Sequence, residues 1–273
     1  MMPVSRHNLD AADDEQWTEG AFRFAHAETS PLHQHSRGHL VHAATGVLSL
    51  LTETGAWIAP ANRFAWVPAG FPHRHRAHGL TDMRIIYLDD DLAAELPAAP
   101  AVLVASPLAR EAALAITSGS GRSPEALAHL RQVVVDEAST APEQPLHLPE
   151  PHDSRLRAAA RLVEHDLATP VSLEQLAART HVGTRTLTRL FQDETGMGYR
   201  QWRLQLRVHR ALVLLANGAT VTEAAAACGW ANTSQFIEQF TPLVGMTPGR
   251  YRRPAEPGTD HELQNGTSSG YST

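Results

Sequence analysis

Hydrophobic residues in the last hundred positions recur at helical spacing twice over, in two stretches of the same design. In SLEQLAARTHVGTRTLTRLF, Ser172–Phe191, residues Leu173, Leu176 and Ala177 share one face of a first helix, Val182 falls in a turn, and Leu187, Leu190 and Phe191 share the buried side of a second. In TVTEAAAACGWANTSQFIEQF, Thr220–Phe240, the second helix carries Phe236 and Phe240 at matching positions. Start and stop signals agree with this periodicity. Ser172 with Gln175, and Thr220 with Glu223, fit capping boxes. Thr184 and Asn232 are expected to cap the second helices, and Gly196 and Gly229 to end helices. Between the two stretches, Trp202, Leu206, Ala211 and Leu215 predict one helix from about Gly198 to Ala216, roughly 28 Å long.

The first half is patterned differently. Short apolar runs at Val47–Glu53, Ala56–Ala59, Arg63–Val67 and Met83–Leu88, separated by Gly, Pro, Asn or Asp, predict strands of a sandwich or small barrel. Helical periodicity returns at Pro107–Thr117 and Pro124–Ser139. Leu127, Leu130, Val133 and Val134 line one face of the latter, either to cover the barrel or to meet a second copy. The proline-rich stretch Thr140–Pro151 reads as an extended linker. The expectation is therefore a two-domain α+β chain. Residues 21–140 form a barrel with accessory helices, 141–152 a linker, and 153–253 an all-α tandem of helix-turn-helix units; residues 1–20 and 254–273 are expected to be disordered.

Charge sharpens this division. The net charge is −6, yet residues 152–254 hold 13 Arg against 8 acids, whereas residues 1–151 hold 10 Arg against 18 acids. A local basic excess on a helical half points to nucleic acid, with salt-dependent affinity. One helix-turn-helix unit docks one helix in one major groove, so two units in one chain are suited to two successive grooves, roughly 34 Å apart. The single Cys228 excludes an internal disulfide, no apolar run has the length of a membrane span, and the first twenty residues lack a signal-peptide core; a bacterial cytoplasm is the expected compartment.

The segments TRTLTRLF (Thr184–Phe191), ETG (Glu194–Gly196), YRQWRLQLR (Tyr199–Arg207) and GMTPGRYRR (Gly245–Arg253) together resemble the AraC family of transcription regulators over about Arg155–Arg253. The resemblance implies that the first reading helix contacts DNA through Thr184, Arg185, Thr186, Thr188 and Arg189, and the second through Asn232, Thr233, Ser234 and Gln235. Arginine pairs bidentately with guanine and glutamine with adenine, so the residue types fit. The second head departs from the family pattern. Its reading helix has no basic residue, Glu238 stands where an arginine is frequent, and Pro242 is expected to shorten or bend the helix. The first head is therefore expected to supply more affinity.

The chemistry of the first half is histidine: eight of sixteen fall between His26 and His78. His33-Gln34-His35 puts two imidazoles on one side of an extended chain, His39 follows, and Pro68-Ala69-Gly70-Phe71-Pro72-His73 brings another after a turn. This HxH and later PxGxxH resembles the cupin fold over roughly Ala25–Leu88. The resemblance implies a site for a divalent Zn, Fe, Ni or Cu ion on His33, His35, His39 and His73, with His39 where cupins usually carry a carboxylate. His75 and His78 are expected in a solvated loop, and the role of His42 is open. Trp57, Phe64, Trp66 and Tyr87 are candidates to line an organic effector pocket.

These readings converge on a sequence-specific, non-enzymatic DNA-binding regulator. Its barrel binds a small molecule or a metal ion, and its partners are double-stranded promoter DNA, RNA polymerase if it activates, and a second copy if it dimerises. Two rivals stay open at this point. One is a metal-dependent cupin oxygenase or isomerase fused to a DNA-binding module; the other is an effector-independent DNA-binding protein whose barrel serves only to dimerise.

Overall fold

The computed structural model describes residues 18–119, 121–141 and 146–252. The segments expected to be disordered lie outside the described residues, apart from Thr18–Gly20, where Gly20 already opens a strand, and Arg253, previously placed in the reading domain, lies outside them too. Seven strands form one antiparallel sheet: β1 (Gly20–Phe24), β2 (His39–Thr52), β3 (Gly55–Pro60), β4 (Arg63–Val67), β5 (Arg74–Tyr87), β6 (Ala101–Val104) and β7 (His147–Pro149). The order is β1-β5-β2-β3-β7, with β4 pairing both β2 and β6. The two long strands run side by side from His39–Tyr87 to Leu51–Arg74, with irregular register around Ala43–Val47. β4 covers the first residues of β2, and β3 the last.

Alternation along these strands divides the apolar residues between two faces. Val41, Ala43, Ala77, Met83, Ile85 and Tyr87 point into one buried cluster. Leu40, Phe64, Trp66, Ile86 and Leu103 point to the other face, where they meet helices α2 (Pro107–Thr117) and α3 (Pro124–Ser139). Ser106 and Ser123 cap these helices by accepting from Ala109 N and Ala126 N, with Pro107 and Pro124 in the first turn, so both boundaries match the sequence expectation. The apolar face of α3 is spent inward: Val134, Val135 and Ala138 are buried, and Leu127, Leu130 and Val133 pack against the same cluster. Leu127, Leu130 and Val133 stay partly exposed there. A short helix α1 (Asp90–Ala93) follows β5.

Two expectations are corrected here. The stretch 74–78 is not a loop, because β5 begins at Arg74; His75 is buried and His78 is half-buried with its Nε2 2.8 Å from Ser49 Oγ. Its polar alternation, Arg74 and Arg76 out with His75 and Ala77 in, hid a strand that lacks an apolar run. The second half of the supposed linker is not a free tether. His147–Pro149 pairs with Gly55–Trp57 as an edge strand, His147 stacks on Trp57, and Leu146 is buried. Proline is tolerated there because an edge strand leaves one side unpaired.

The C-terminal half is helical: α4 (Ser154–His165), α5 (Leu173–Thr180), α6 (Thr184–Thr195), α7 (Tyr199–Ala216), α8 (Val221–Ala227), α9 (Thr233–Val244) and α10 (Pro248–Arg252). Both capping boxes form, at Ser172/Gln175 and Thr220/Glu223. Gly196 and Gly229 take left-handed conformations at helix ends, and Asn232 caps α9 by accepting from Gln235 N. Thr184 does not cap α6; it is the first helical residue, and Gly183 is the cap, without a side-chain bond. Pro242 does not shorten α9, which runs on to Val244 and ends at left-handed Gly245. Among the described residues no helix is long and apolar enough to cross a membrane.

Candidate DNA interface and histidine cluster

The two helix-turn-helix heads, α5–α6 and α8–α9, are mounted on α7, whose 18 residues span about 27 Å. Arginines of α7 tie it to both. Arg203 donates to the carbonyls of Leu167 and Thr169, at the turn before α5. Arg207 donates to the carbonyl of Cys228 at 2.7 Å, and its guanidinium lies 3.9 Å from the Trp230 ring centroid. Burial lowers the Arg207 pKa to about 10, which still leaves it cationic near neutrality. The heads also touch directly: a Cβ on Gly229 would come within 2.5 Å of the Ala168 carbonyl, and the glycine has φ +75°. Of the basic flank Arg200, Arg203, Arg207 and Arg210, therefore, the middle two are half-buried rivets and the outer two are exposed. The sequence missed this because the rivets bond to backbone carbonyls distant in the chain.

On α6, Arg185, Thr188 and Arg189 are exposed along one side, while Thr184 and Thr186 are partly covered. Thr188 Oγ1 donates to the Thr184 carbonyl, and the Arg189–Asp193 pair is long at 3.9 Å, so both arginines are available to a ligand. On α9, Ser234 and Gln235 are exposed and Thr233 is partly covered. Asn232 spends its side chain on the cap, and Gln235 Oε1 accepts from Ala231 N at 3.3 Å. Between the heads runs a groove of about 700 Å³ bordered by Glu174, Arg200, Arg203, Arg207 and Gln239.

The heads differ in what lies beneath them. The first has its own core, with Leu156, Leu176, Leu187, Phe191 and Trp202. The second shares one continuous core with the sheet: Ala224, Ala225, Phe236 and Phe240 join Val41, Val47, Leu50 and Met83 through Val208, Ala211, Leu212 and Leu215 of α7. Two polar clamps reinforce this seat. Arg63, only 2 % exposed, donates to the carbonyl of Val244 at the end of α9, as does Asn62 Nδ2. His209 of α7 donates through Nε2 to the Leu146 carbonyl at 3.0 Å. A cation at the C-terminal end of a helix is favourably placed. No local signal marks Arg63, because its partner is 181 residues away.

In the sheet domain, five imidazoles converge, among them His75, which was expected in a solvated loop. His33, His35, His39, His73 and His75 are each no more than 2 % exposed. The ring of His73 lies 4.3 Å from that of His33, 4.9 Å from His75, 5.1 Å from His39 and 5.4 Å from His35. A bridge between His33 and His73 joins their backbones, and His39 opens β2 opposite Tyr87. Burial first, and then neighbouring histidines, hold His39 and His75 well below the ordinary imidazole range and His73 at about 3. His42 is not a member. It faces the helical side, with Nδ1 donating to the Arg63 carbonyl at 3.2 Å. Nor do the four aromatic candidates line one pocket. Trp57 and Tyr87 belong to the inner cluster, Phe64 and Trp66 to the outer one, because they alternate onto opposite faces. Trp66 donates to the Pro97 carbonyl, and the Tyr87 hydroxyl lies 3.1 Å from His35 Nδ1.

Two helix-turn-helix heads on a shared connecting helix, seated on an antiparallel sheet domain, define a DNA-binding transcription regulator with a ligand-binding half. Residues 19–152 match the family of AraC-like ligand binding domains, and residues 176–254 match a helix-turn-helix domain family. The chain is 32 % identical over 255 residues to the HTH-type transcriptional regulator NimR of Escherichia coli (strain K12), covering 91 % of this chain and 93 % of that protein. It is 34 % identical over 103 residues to the HTH-type transcriptional regulator RipA of Corynebacterium glutamicum, covering 38 % of this chain and 31 % of that one. Among solved structures it is similar to unsaturated fatty acid bound ToxT of Vibrio cholerae, with 10 % identity, a TM-score of 0.38, and coverage of 86 % of this chain and 94 % of that one. The chain belongs to the AraC family of transcription regulators.

Proposed function

We propose that this regulator binds an effector in its sheet domain and that occupancy resets the second reading head on DNA. The observation that carries this reading is the continuous core joining the inner face of the sheet to α7 and to Phe236 and Phe240 of the second head. An effector shifts such an equilibrium only if it binds the DNA-competent and incompetent arrangements with different affinity. A packing change inside the sheet is transmitted to α9 because no solvent layer separates them. In this reading Arg185, Thr188 and Arg189 contact bases and phosphates from the first head, and Ser234 and Gln235 probe bases from the second. Thr184, Thr186, Asn232 and Thr233 set the helix starts that aim them. The protein acts on promoter DNA in the cytoplasm, without catalysis. Contact with RNA polymerase and with a second copy belongs to the same proposal.

Arg63→Met tests the coupling, because it keeps the stem and removes the clamp on Val244. Affinity is measured for a duplex selected from random sequence by the full chain, and for the same duplex with the half-site of the second head scrambled. The expected loss is about tenfold, or about 1.4 kcal/mol, on the intact duplex and little on the scrambled one. An equal loss on both, or none, overturns the coupling.

A further inference from the structure

We propose that the five-histidine cluster is a binding site for one divalent late first-row transition metal ion, zinc, nickel or copper, and that this ion is the effector. The second clause rests on the function proposed above; the first does not.

Two sets of donors in the described residues have the spacing of a metal site: His33, His35 and His73, and His39, His73 and His75, with ligand atoms in each set within 4.8 Å of one another. Both sets consist of histidine alone, and His73 belongs to both. The orientation of the rings supports a ligand. His73 Nδ1 donates to the Phe71 carbonyl at 2.8 Å and His33 Nδ1 to the Pro31 carbonyl at 2.9 Å. These bonds fix the tautomer and leave Nε2 as the basic nitrogen, the arrangement in which an outer backbone carbonyl orients a metal-bound imidazole. His73 Nε2, His75 Nε2 and both nitrogens of His39 are buried without a hydrogen-bond partner. Unsatisfied buried polar atoms are costly, and here several are gathered at one point. Apolar packing does not satisfy them; a cation shared among their lone pairs does.

The donor set selects the ion. Neutral imidazole suits zinc, nickel and copper, whereas magnesium and calcium require oxygen. With no carboxylate in either set, the bound ion retains its full charge, in contrast to a site where an acid neutralises part of it. The cluster also adjoins the core that reaches the second head. His39 and Val41 lie on the same side of β2, and His75 and Ala77 on the same side of β5, and Val41 and Ala77 belong to the cluster that includes Val208 and Phe236.

The experiment uses the full, untagged chain, stripped with a chelator and titrated calorimetrically with Zn²⁺, Ni²⁺ or Cu²⁺, and with Mg²⁺ for comparison. One equivalent of at least one of the three, and none of Mg²⁺, is expected. His73→Ala removes the member common to both sets and should weaken binding beyond the roughly 10–100-fold that loss of an outer partner costs, whereas replacing exposed His26 should change nothing. If His73→Ala fails to fold by circular dichroism, His75→Gln takes its place; it disables one set only and should give a smaller loss. Failure of all three ions to bind, or unchanged stoichiometric binding in folded His73→Ala, overturns the site. Affinity for the selected duplex is then measured with and without the bound ion. A change of tenfold or more is expected; a bound ion that leaves DNA affinity unchanged overturns its role as effector while the site stands.

Discussion

The two reading heads share one design and are held in opposite ways. The first carries exposed Arg185 and Arg189 on a helix with a core of its own. The second has no basic side chain on its reading helix, shares its core with the sheet, and has the end of that helix clamped by Arg63 and Asn62. Charge and control are thus separated. The head with the exposed arginines touches the sheet domain at Leu148 of edge strand β7, whereas the head without a basic side chain on its reading helix shares its core with the inner face of the sheet. A head that bound DNA strongly through charge would need a large effector energy to move it; a head without basic side chains needs little.

The largest effect should come from the cores. Phe236→Ala and Phe191→Ala each remove a fully buried aromatic ring and should cost about 3–5 kcal/mol. Hydrogen exchange distinguishes them. Phe236→Ala should lower protection in the sheet as well as in the second head, whereas Phe191→Ala should loosen the first head alone; sheet protection unaffected by Phe236→Ala would break the comparison.

A middle effect belongs to the reading surfaces. Arg189→Ala should weaken binding to the selected duplex by about 1–3 kcal/mol if it reads a base, or lower the salt slope by about 1 if it contacts phosphate. Gln235→Ala should leave the salt slope unchanged, since it removes no charge. Anisotropy titrations at several salt concentrations separate the two, and equal slopes in Arg189→Ala and Gln235→Ala together with undiminished affinity would contradict the division of labour.

The smallest effect is set by pH at the seat of the second head. Burial pushes His209 and His42 down to about 4 from an ordinary value near 6.5. Each is neutral when folded and gains a proton more readily when unfolded. Their contribution to stability is therefore complete above about pH 6.5 and is lost as pH falls toward 4. The urea midpoint should be lower at pH 5 than at pH 7, and His209→Gln should reduce the difference without abolishing it, since the buried histidines of the cluster shift the same way; a midpoint independent of pH would refute this account.

How much of this was legible in sequence depended on the range of the interaction. The helices of the reading half, both capping boxes and helices α2 and α3 follow local rules, and the residues around them state those rules. His33 and His35 share a side by local alternation, whereas their grouping with His39 and His73 came from the resemblance to the cupin fold. His75 was not readable, since β5 shows alternating charge rather than an apolar run. Phe64 and Trp66 were assigned to one pocket with Trp57 and Tyr87 because period two tells which residues share a face within a strand, not which face of a neighbouring strand meets them. Arg63, Arg203 and Arg207 were unreadable as clamps, since each pairs with a backbone carbonyl that carries no residue identity.

The seat of α7 on the sheet bears on how such regulators diversify. A reading half cut away at residue 150 would present Val208, Ala211, Leu212 and Leu215 to water, a greasy seam with no lid. A different sensor spliced onto this reading half would have to arrive with a surface already shaped to that seam. Sensor and reader in this chain are therefore fitted to each other, and a hybrid would have to redesign the seam before it could acquire a new signal.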